Sequence, residues 1–352
     1  MTTAASAIAP RLPDQAFRTR ITNLFGIRHP ILAGGLQWLA TADYVAAAVN
    51  AGLMGFLTAA SFPDDAALVA EIRRCRDLTE GRPFGVNVSM LPKIAPQERV
   101  EAIMRVIVAE KVPFVETSGR SPAEWVGRLH DAGTRIIHKV PAVRYAESAE
   151  KAGVDAVTIV GFECGGHPGM DLIGSFVQAA QAASRLSVPY CIGGGVGHGS
   201  QIAAALAMGA DGVVVGTRFL VASELRTHPD FKARVVAARE TDTMLVLQSL
   251  RNTIRILRND TAEAVAAVEA RGDGRPDTLL PLVSGKIGRE AYLTGDTSRG
   301  ALSMGQALAF TDREEPLAAI VARLIADAVA ACDRLSALRI AAATADGPPP
   351  PT

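Results

Sequence analysis

The stretch GFECGGHPGM, residues 161–170, concentrates residue types that can do chemistry. His167 follows two glycines and precedes Pro168, so the backbone can approach a flat ligand closely while the proline stiffens the chain behind the imidazole. An unperturbed imidazole has a pKa of about 6.5, which suits proton transfer near neutral pH. We therefore predict that His167 is catalytic, the alternative being a loop histidine hydrogen-bonded to backbone.

Two other side chains of this stretch are less specific. Glu163 could orient a neighbouring group or cap the helix that follows it, and the sequence leaves both readings open. Cys164 is predicted to be a small packing residue, because it has no basic neighbour in the sequence that would lower the pKa of its thiol.

Two glycine-containing segments indicate a phosphate-binding site. A run such as Gly193-Gly194-Gly195 costs about 2 kcal/mol relative to alanine, so bare backbone must have a use there. Peptide N–H groups without side-chain cover bind anions, and Gly216-Thr217 would supply more of them after the next apolar run. An ordinary flexible turn is the alternative for the glycine run.

A lysine lies near the end of the apolar run RIIHKV. An unpaired, buried ammonium is costly, so Lys139 is expected to have an anionic partner. A ligand phosphate or the electron-rich edge of a reduced flavin would serve. The alternative is a lysine whose ammonium reaches solvent.

These residues follow short apolar runs that alternate with amphipathic, alanine-rich segments, a pattern typical of buried parallel strands with helical crossovers. Eight such units close a (β/α)8 TIM barrel, in which the chemistry lies at the C-terminal strand ends. A doubly wound sheet would need GxGxxG after its first strand, and LAGGLQW does not match. The predicted strands are Pro30–Leu36, Met54–Ala60, Phe84–Met90, Phe114–Gly119, Arg135–Val140, Ala156–Gly161, Val188–Gly195 and Gly212–Leu220.

The pattern changes after Leu220, where no further β-rich run is visible. The predicted fold class is therefore α/β, a barrel with a helical insertion or cap after the eighth strand. The expected divisions are a disordered tail at 1–20, the barrel at 21–222, a helical cap or substrate domain at 223–310, C-terminal helices on the barrel at 311–343, and a second disordered tail at 344–352.

Composition argues against several function classes. Lys+Arg and Asp+Glu number 36 each, so no nucleic-acid partner is expected. The four cysteines form no CxxC pair, and no metal site or disulfide framework is expected. No window has the length and apolarity of a signal peptide or membrane span, so the chain is expected to be soluble, with no membrane partner. The widely spaced cysteines favour a reducing cytoplasm.

The chain resembles the nitronate monooxygenase family, formerly called 2-nitropropane dioxygenases, from about Ile21 to Phe310. The ordered motifs that carry the resemblance are GIRHPILAGGLQW, NAGLMGFLTAAS, RPFGVNVSML, IIHKV, GVDAVTIVGFECGGHPG, VPYCIGGGVGHG, ALAMGADGVVVGTRFLVASE, QSLRNTIRILRN and GDTSRGALSMGQ. Members are FMN-dependent (β/α)8 barrels with a helical second domain. The resemblance thus implies FMN as the cofactor.

The resemblance also implies roles for individual positions. His167 matches the family's active-site histidine. Gly34, Gly35 and Leu36 would lie under the isoalloxazine ring, with Asn87 and Lys139 at its polar edge. The other positions implied to approach the flavin, hold its phosphate or border the pocket are Gly165, Gly166, Gly193, Gly194, Gly195, Gly216, Thr217, Met304, Gly305 and Gln306. The candidates for the walls of a substrate pocket are Trp38, Tyr292 and Met304.

Activity within the family is not uniform. The primary prediction is oxidation of alkyl nitronates by O₂ through a flavin semiquinone. A subgroup consists of NAD(P)H:quinone reductases, and the motifs GGLQW and GFECGGHPG are closer to that subgroup. Related barrels reduce enoyl thioesters with NAD(P)H. The expected partner is a small molecule, either a nitronate, a quinone or an enoyl compound, with NADH or NADPH as reductant in the last two cases, and the chain is expected to be a monomer or homodimer.

Overall fold

The computed structural model describes residues 14–90 and 97–340. Eight parallel strands close into a barrel in chain order, with β1 paired to both β2 and β8. Each lies within one of the predicted runs, so the (β/α)8 prediction is confirmed. The strands are β1 (Ile31–Ala33), β2 (Met54–Thr58), β3 (Gly85–Met90), β4 (Phe114–Gly119), β5 (Arg135–Val140), β6 (Ala156–Val160), β7 (Tyr190–Gly193) and β8 (Gly212–Val215).

Alternate side chains of each strand point into the barrel. The interior is apolar at the end of the barrel where the strands begin. A short helix, α1 (Arg20–Phe25), closes this end. Ile21 and Phe25 of this helix are buried against the strand side chains, and the Phe25 ring centroid lies 4.7 Å from that of Phe114. The interior cluster also contains Leu32, Met54, Phe56, Ile137, Ala156 and Cys191.

The ordered structure begins before residue 20, so the N-terminal tail is shorter than predicted. Thr19 caps the helix in a reciprocal capping box with Thr22, Gln15 is buried, and Phe17 packs against the main core. The expectation of disorder up to residue 20 is therefore wrong for residues 15–20, because this segment covers apolar surface of the barrel. Residues 1–13 and the predicted tail at 344–352 lie outside the described residues.

A helix follows each of the first seven strands and packs on the outside of the barrel. These helices are α2 (Ala42–Asn50), α3 (Asp65–Leu78), α4 (Gln97–Ala109), α5 (Ala123–Asp131), α6 (Val143–Lys151), α7 (Ser175–Ala183) and α8 (Gly199–Ala207). None of the helices in the described parts of the chain combines the length and apolarity that a membrane span requires.

The segment after β8 contains helices and a β-hairpin. The hairpin consists of β9 (Thr243–Val246) and β10 (Ile254–Leu257), paired antiparallel. The expectation of no strands after Leu220 is therefore wrong, because strands of four residues are too short for an alternating pattern to stand out in the sequence. The helices of this segment are α9 (Pro229–Ala237), α10 (Asp260–Ala270), α11 (Pro276–Leu279) and α12 (Gly285–Thr294).

The chain returns to the barrel through α13 (Leu317–Leu338), one continuous helix. It packs against the start of α8, where a Cβ at Gly199 would overlap the carbonyl oxygen of Leu324. The hairpin forms a small core of its own with α10, which includes Val246, Ile256 and Val265.

Candidate active site

Toward the C-terminal end of the barrel, polar side chains replace the apolar interior. Glu116, Lys139 and Thr158 each lie two positions beyond a residue of the interior cluster, so they point inward from β4, β5 and β6. Glu116 is 1% exposed and accepts hydrogen bonds at Oε2 from Asn87 Nδ2 at 2.5 Å and from Lys139 Nζ at 2.9 Å. Lys139 therefore has its anionic partner within the protein. The expectation that a bound ligand supplies this anionic partner is therefore wrong.

The opposite half of the rim is lined by glycines that directly follow β1, β7 and β8. Gly34 N donates to Val215 O at 2.9 Å, and a Cβ at Gly34 would lie 3.4 Å from Gly216 Cα. A Cβ at Gly35 would lie 3.1 Å from Asn87 Cγ. Bare backbone thus faces the polar side chains of β3 to β6, an arrangement that suits a flat ring with one polar edge.

One buried hydroxyl at this rim lacks a hydrogen-bond partner among the described residues. This hydroxyl is Thr158 Oγ1. Buried polar atoms in native proteins are nearly always paired, so this atom points to a polar group that belongs to a bound molecule or to water.

Two residues of the glycine run at the end of β7 adopt left-handed backbone conformations. Gly194 and Gly195 have φ angles of 102° and 71°, which favour glycine. Within the described parts of the chain, their amides donate no hydrogen bond. Gly194 O lies 2.9 Å from Ser175 Oγ, and Gly195 O accepts from Gln201 Nε2 at 2.9 Å. Amide N–H groups that have no acceptor within the protein can donate hydrogen bonds to an anionic group such as a phosphate.

Glu163 caps the helix that follows its loop. Ser175, the first residue of α7, donates from its amide to Glu163 Oε1 at 3.1 Å and from Oγ to Oε2 at 2.7 Å. Of the two readings that the sequence left open, the capping role is the one observed.

Three segments that are distant in the sequence contact one another at the His167 loop. A Cβ at Gly165 would lie 2.8 Å from Gly305 N, and a Cβ at Gly305 would lie 2.6 Å from Gly165 N. Gln306 N donates to Glu163 O at 2.9 Å, and Gly305 N donates to Thr217 Oγ1 at 2.9 Å. The predicted positions at 165, 217 and 304–306 are therefore neighbours.

The imidazole of His167 is exposed at the barrel mouth and forms no hydrogen bond with the described residues. Loss of hydration among the surrounding walls, and then the positive charge of Lys139, lower the pKa of His167 to about 4. At pH 7 the ring is neutral, with one N–H donor and one acceptor nitrogen.

The three predicted wall residues differ in their surroundings. Trp38 is half-buried, its Nε1 has no partner among the described residues, and the Arg289 guanidinium lies 5.4 Å from the ring centroid. The Met304 side chain is buried in the main core. Tyr292 is buried against Phe231, with ring centroids 5.0 Å apart. Core packing leaves the last two side chains little surface for a substrate, so the structure does not support them as pocket walls.

Sequence reasoning missed two charged residues of this region, Glu116 and Arg255. Both interrupt short apolar runs, FVETSG and TIRIL, and a charge inside such a run is the signal that could have identified them. Arg255 is buried on β10 and donates to Phe162 O in the His167 loop.

The thiol of Cys164, in the same loop, has its pKa raised to about 12 by burial, which agrees with a packing role. The described residues contain no cluster of three or more His, Cys, Asp or Glu that could hold a metal ion.

Comparisons with known proteins show which proteins this chain resembles. The sequence profile of a family described as nitronate monooxygenase matches residues 18–327. A relative from Mycobacterium tuberculosis, the (3aS,4S,5R,7aS)-5-hydroxy-7a-methyl-1-oxo-octahydro-1H-indene-4-carboxyl-CoA dehydrogenase, is 32% identical over 72% of this chain and 70% of its own length.

Two solved structures are also similar. FabK from Thermotoga maritima is 31% identical and superposes with a TM-score of 0.84, covering 92% of this chain and all of that one. A nitroalkane oxidase from Streptomyces ansochromogenes is 27% identical, with a TM-score of 0.76 over 90% of this chain and all of that one.

Proposed function

Because this chain belongs to the nitronate monooxygenase family and is therefore an oxidoreductase, we propose that it uses FMN to pass electrons from NAD(P)H to a conjugated carbonyl compound. Quinones and enoyl thioesters belong to this class. The observation that carries the proposal is the exposed imidazole of His167 at the barrel mouth, which has no hydrogen-bond partner among the described residues and can donate to a substrate.

The residues at the rim fit FMN. The bare backbone at Gly34 and Gly35 would lie against the ring system, with Asn87 and Lys139 toward its polar edge. The free amides of Gly194 and Gly195 would bind the phosphate. FMN, when bound, supplies the reversible two-electron chemistry that amino-acid side chains lack.

His167 would act on the acceptor. Its N–H can donate to the carbonyl oxygen on which negative charge develops, and a donor already in place stabilises that charge without reorganisation. Lys139 and Arg255 are already bonded, to Glu116 and to Phe162 O. A site of this kind favours an uncharged substrate over an anionic nitronate.

The similarity to known proteins supports the same class. The name of the Mycobacterium tuberculosis relative specifies a CoA thioester as its substrate, and that relative is 32% identical over 72% of this chain.

Anaerobic stopped-flow spectroscopy of the FMN-loaded protein tests the proposal. We expect NADH or NADPH to bleach the flavin absorbance, and a quinone such as 1,4-benzoquinone to restore it. His167→Asn should lower the rate of the second step about 100-fold, the usual scale for a hydrogen-bonding acid or base, without loss of flavin. Failure of both nicotinamides to bleach the flavin contradicts the proposal.

Nitronate oxidation is the second candidate, favoured by the family description and by the likeness to a nitroalkane oxidase. In that reaction His167 would orient the nitro group or accept the α-proton of a neutral nitroalkane. Bleaching by propyl-2-nitronate without any nicotinamide, followed by O₂ consumption on aeration, would establish it.

A further inference from the structure

The backbone of β10 holds the loop that carries His167. Gly166 N donates to Arg255 O at 3.0 Å, and Arg255 N donates to Gly166 O at 2.7 Å, which makes an isolated antiparallel bridge between a barrel loop and the hairpin. Gly166 has a φ angle of 82°, so the bridge depends on a conformation that favours glycine. The residue directly before His167 is thereby fixed to the hairpin.

The side chain of Arg255 holds the start of the same loop. Nε and Nη2 donate to Phe162 O at 3.1 and 3.0 Å, and Nη1 donates to Thr243 Oγ1 at 3.1 Å. The guanidinium lies 5.4 Å from the Phe162 ring centroid. One residue therefore binds the loop at two points, at Phe162 and at Gly166.

The partners of this cation are neutral. Arg255 is 5% exposed, and its three donor nitrogens bond to a carbonyl and a hydroxyl, with no ion pair to a carboxylate in the described parts of the chain. Burying a guanidinium in this way costs free energy that an apolar side chain would not. Its planar fork, however, fixes the direction of a carbonyl more tightly than the single ammonium of lysine could.

We infer that Arg255 is a positioning residue for His167, which it holds at the barrel mouth through the two attachments of the 162–166 loop. The inference rests on the proposed function, because it takes His167 as the group that meets the substrate. Among the described residues, the hydrogen bonds of the Arg255 side chain go to Phe162 O in the loop and to Thr243 Oγ1.

A double-mutant cycle tests the inference. The quantity measured is kcat for NAD(P)H-dependent reduction of 1,4-benzoquinone by FMN-loaded protein, with flavin content checked by absorbance. Arg255→Lys should lower kcat about 10-fold with little change in the KM for quinone, since a misplaced group costs rate rather than binding. In the His167→Asn background, Arg255→Lys should change kcat less than two-fold, because the group that it positions is already gone.

The matched control is Arg258→Gln, which removes an exposed arginine just beyond the same strand and should leave kcat unchanged. Multiplicative losses in the cycle, or full activity of Arg255→Lys, would overturn the inference while leaving the role of His167 intact. Full activity of His167→Asn alone would overturn both. If Arg255→Lys does not fold, Thr243→Val removes one anchor of the guanidinium, and the same cycle applies with the same two outcomes.

Discussion

Neighbouring residues on β5 have opposite environments because successive side chains of a strand point to opposite faces. Lys139 points into the barrel and pairs with Glu116, whereas His138 points outward, 3% exposed, with Nδ1 at 2.8 Å from Thr117 Oγ1. Burial lowers the pKa of His138 to about 4. One residue therefore serves the candidate site, and its neighbour links the stability of the barrel to pH.

The His138 pKa predicts loss of stability in mild acid. Between about pH 6.5 and 4 the unfolded chain takes up a proton at this position that the folded chain does not, so the free energy of unfolding falls as the pH decreases through this window. The contribution is about 2 kcal/mol between pH 7.5 and 5. His138→Gln should flatten the pH dependence measured by urea unfolding. Equal slopes for the variant and the wild type would contradict the assignment.

At the scale of elements, the candidate site depends on contacts between backbone segments that leave no space for a side chain. Gly165, in the loop after β6, lies against Met304 and Gly305, so the segment that follows α12 forms the back of the His167 loop. The hairpin holds the same loop from another side through Arg255. The conformation of this loop thus depends on the elements after β8 as well as on the barrel.

Two glycine substitutions separate close packing from backbone flexibility. Gly165→Ala places a Cβ 2.8 Å from Gly305 N and from Met304 C, and we expect it to destabilise the protein by about 2 kcal/mol and to reduce retention of FMN. Gly127→Ala, in α5, meets no atom within 4 Å and should instead stabilise by about 0.5 to 1 kcal/mol. Thermal melts and flavin absorbance of the purified variants measure both effects. Equal behaviour of the two variants would show that the Gly165 contact is unimportant.

At the scale of the whole molecule, the apolar core of the barrel and its candidate active site lie at opposite ends. α1 and the apolar interior cluster close one end, and the polar and glycine-lined rim lies at the other. Such a rim brings together a buried hydroxyl and two backbone amides that have no hydrogen-bond partner among the described residues. Groups of that kind are costly without a ligand, so binding should stabilise the fold.

Added FMN should therefore raise the melting temperature of the apoprotein. At a concentration about 100 times Kd the gain is about 2.7 kcal/mol, which corresponds to a shift of several degrees. Riboflavin, which lacks the phosphate, should give a smaller shift, because the free amides of Gly194 and Gly195 then stay unbonded. Scanning fluorimetry with the two ligands side by side measures the difference. Equal shifts would contradict the assignment of the phosphate site.

Local patterns in the sequence were enough to predict the eight strands, their order and the place of the His167 loop. Continuous apolar runs and the glycines that follow them act over a few residues, so they can be read without knowing which elements meet. The sequence does not determine the capping role of Glu163, because its partner, Ser175, lies across a loop.

The partners of Lys139 and of the His167 loop were decided only by the tertiary structure. Lys139 meets Glu116 because β4 and β5 are neighbours with matched inward faces. Arg255 reaches Phe162 across 93 positions of sequence, and Gly305 reaches Thr217 across 88. The sequence by itself determined the barrel and its candidate imidazole, since those depend on local periodicity and residue type. What holds that imidazole in place depends on long-range packing, which no local pattern encodes.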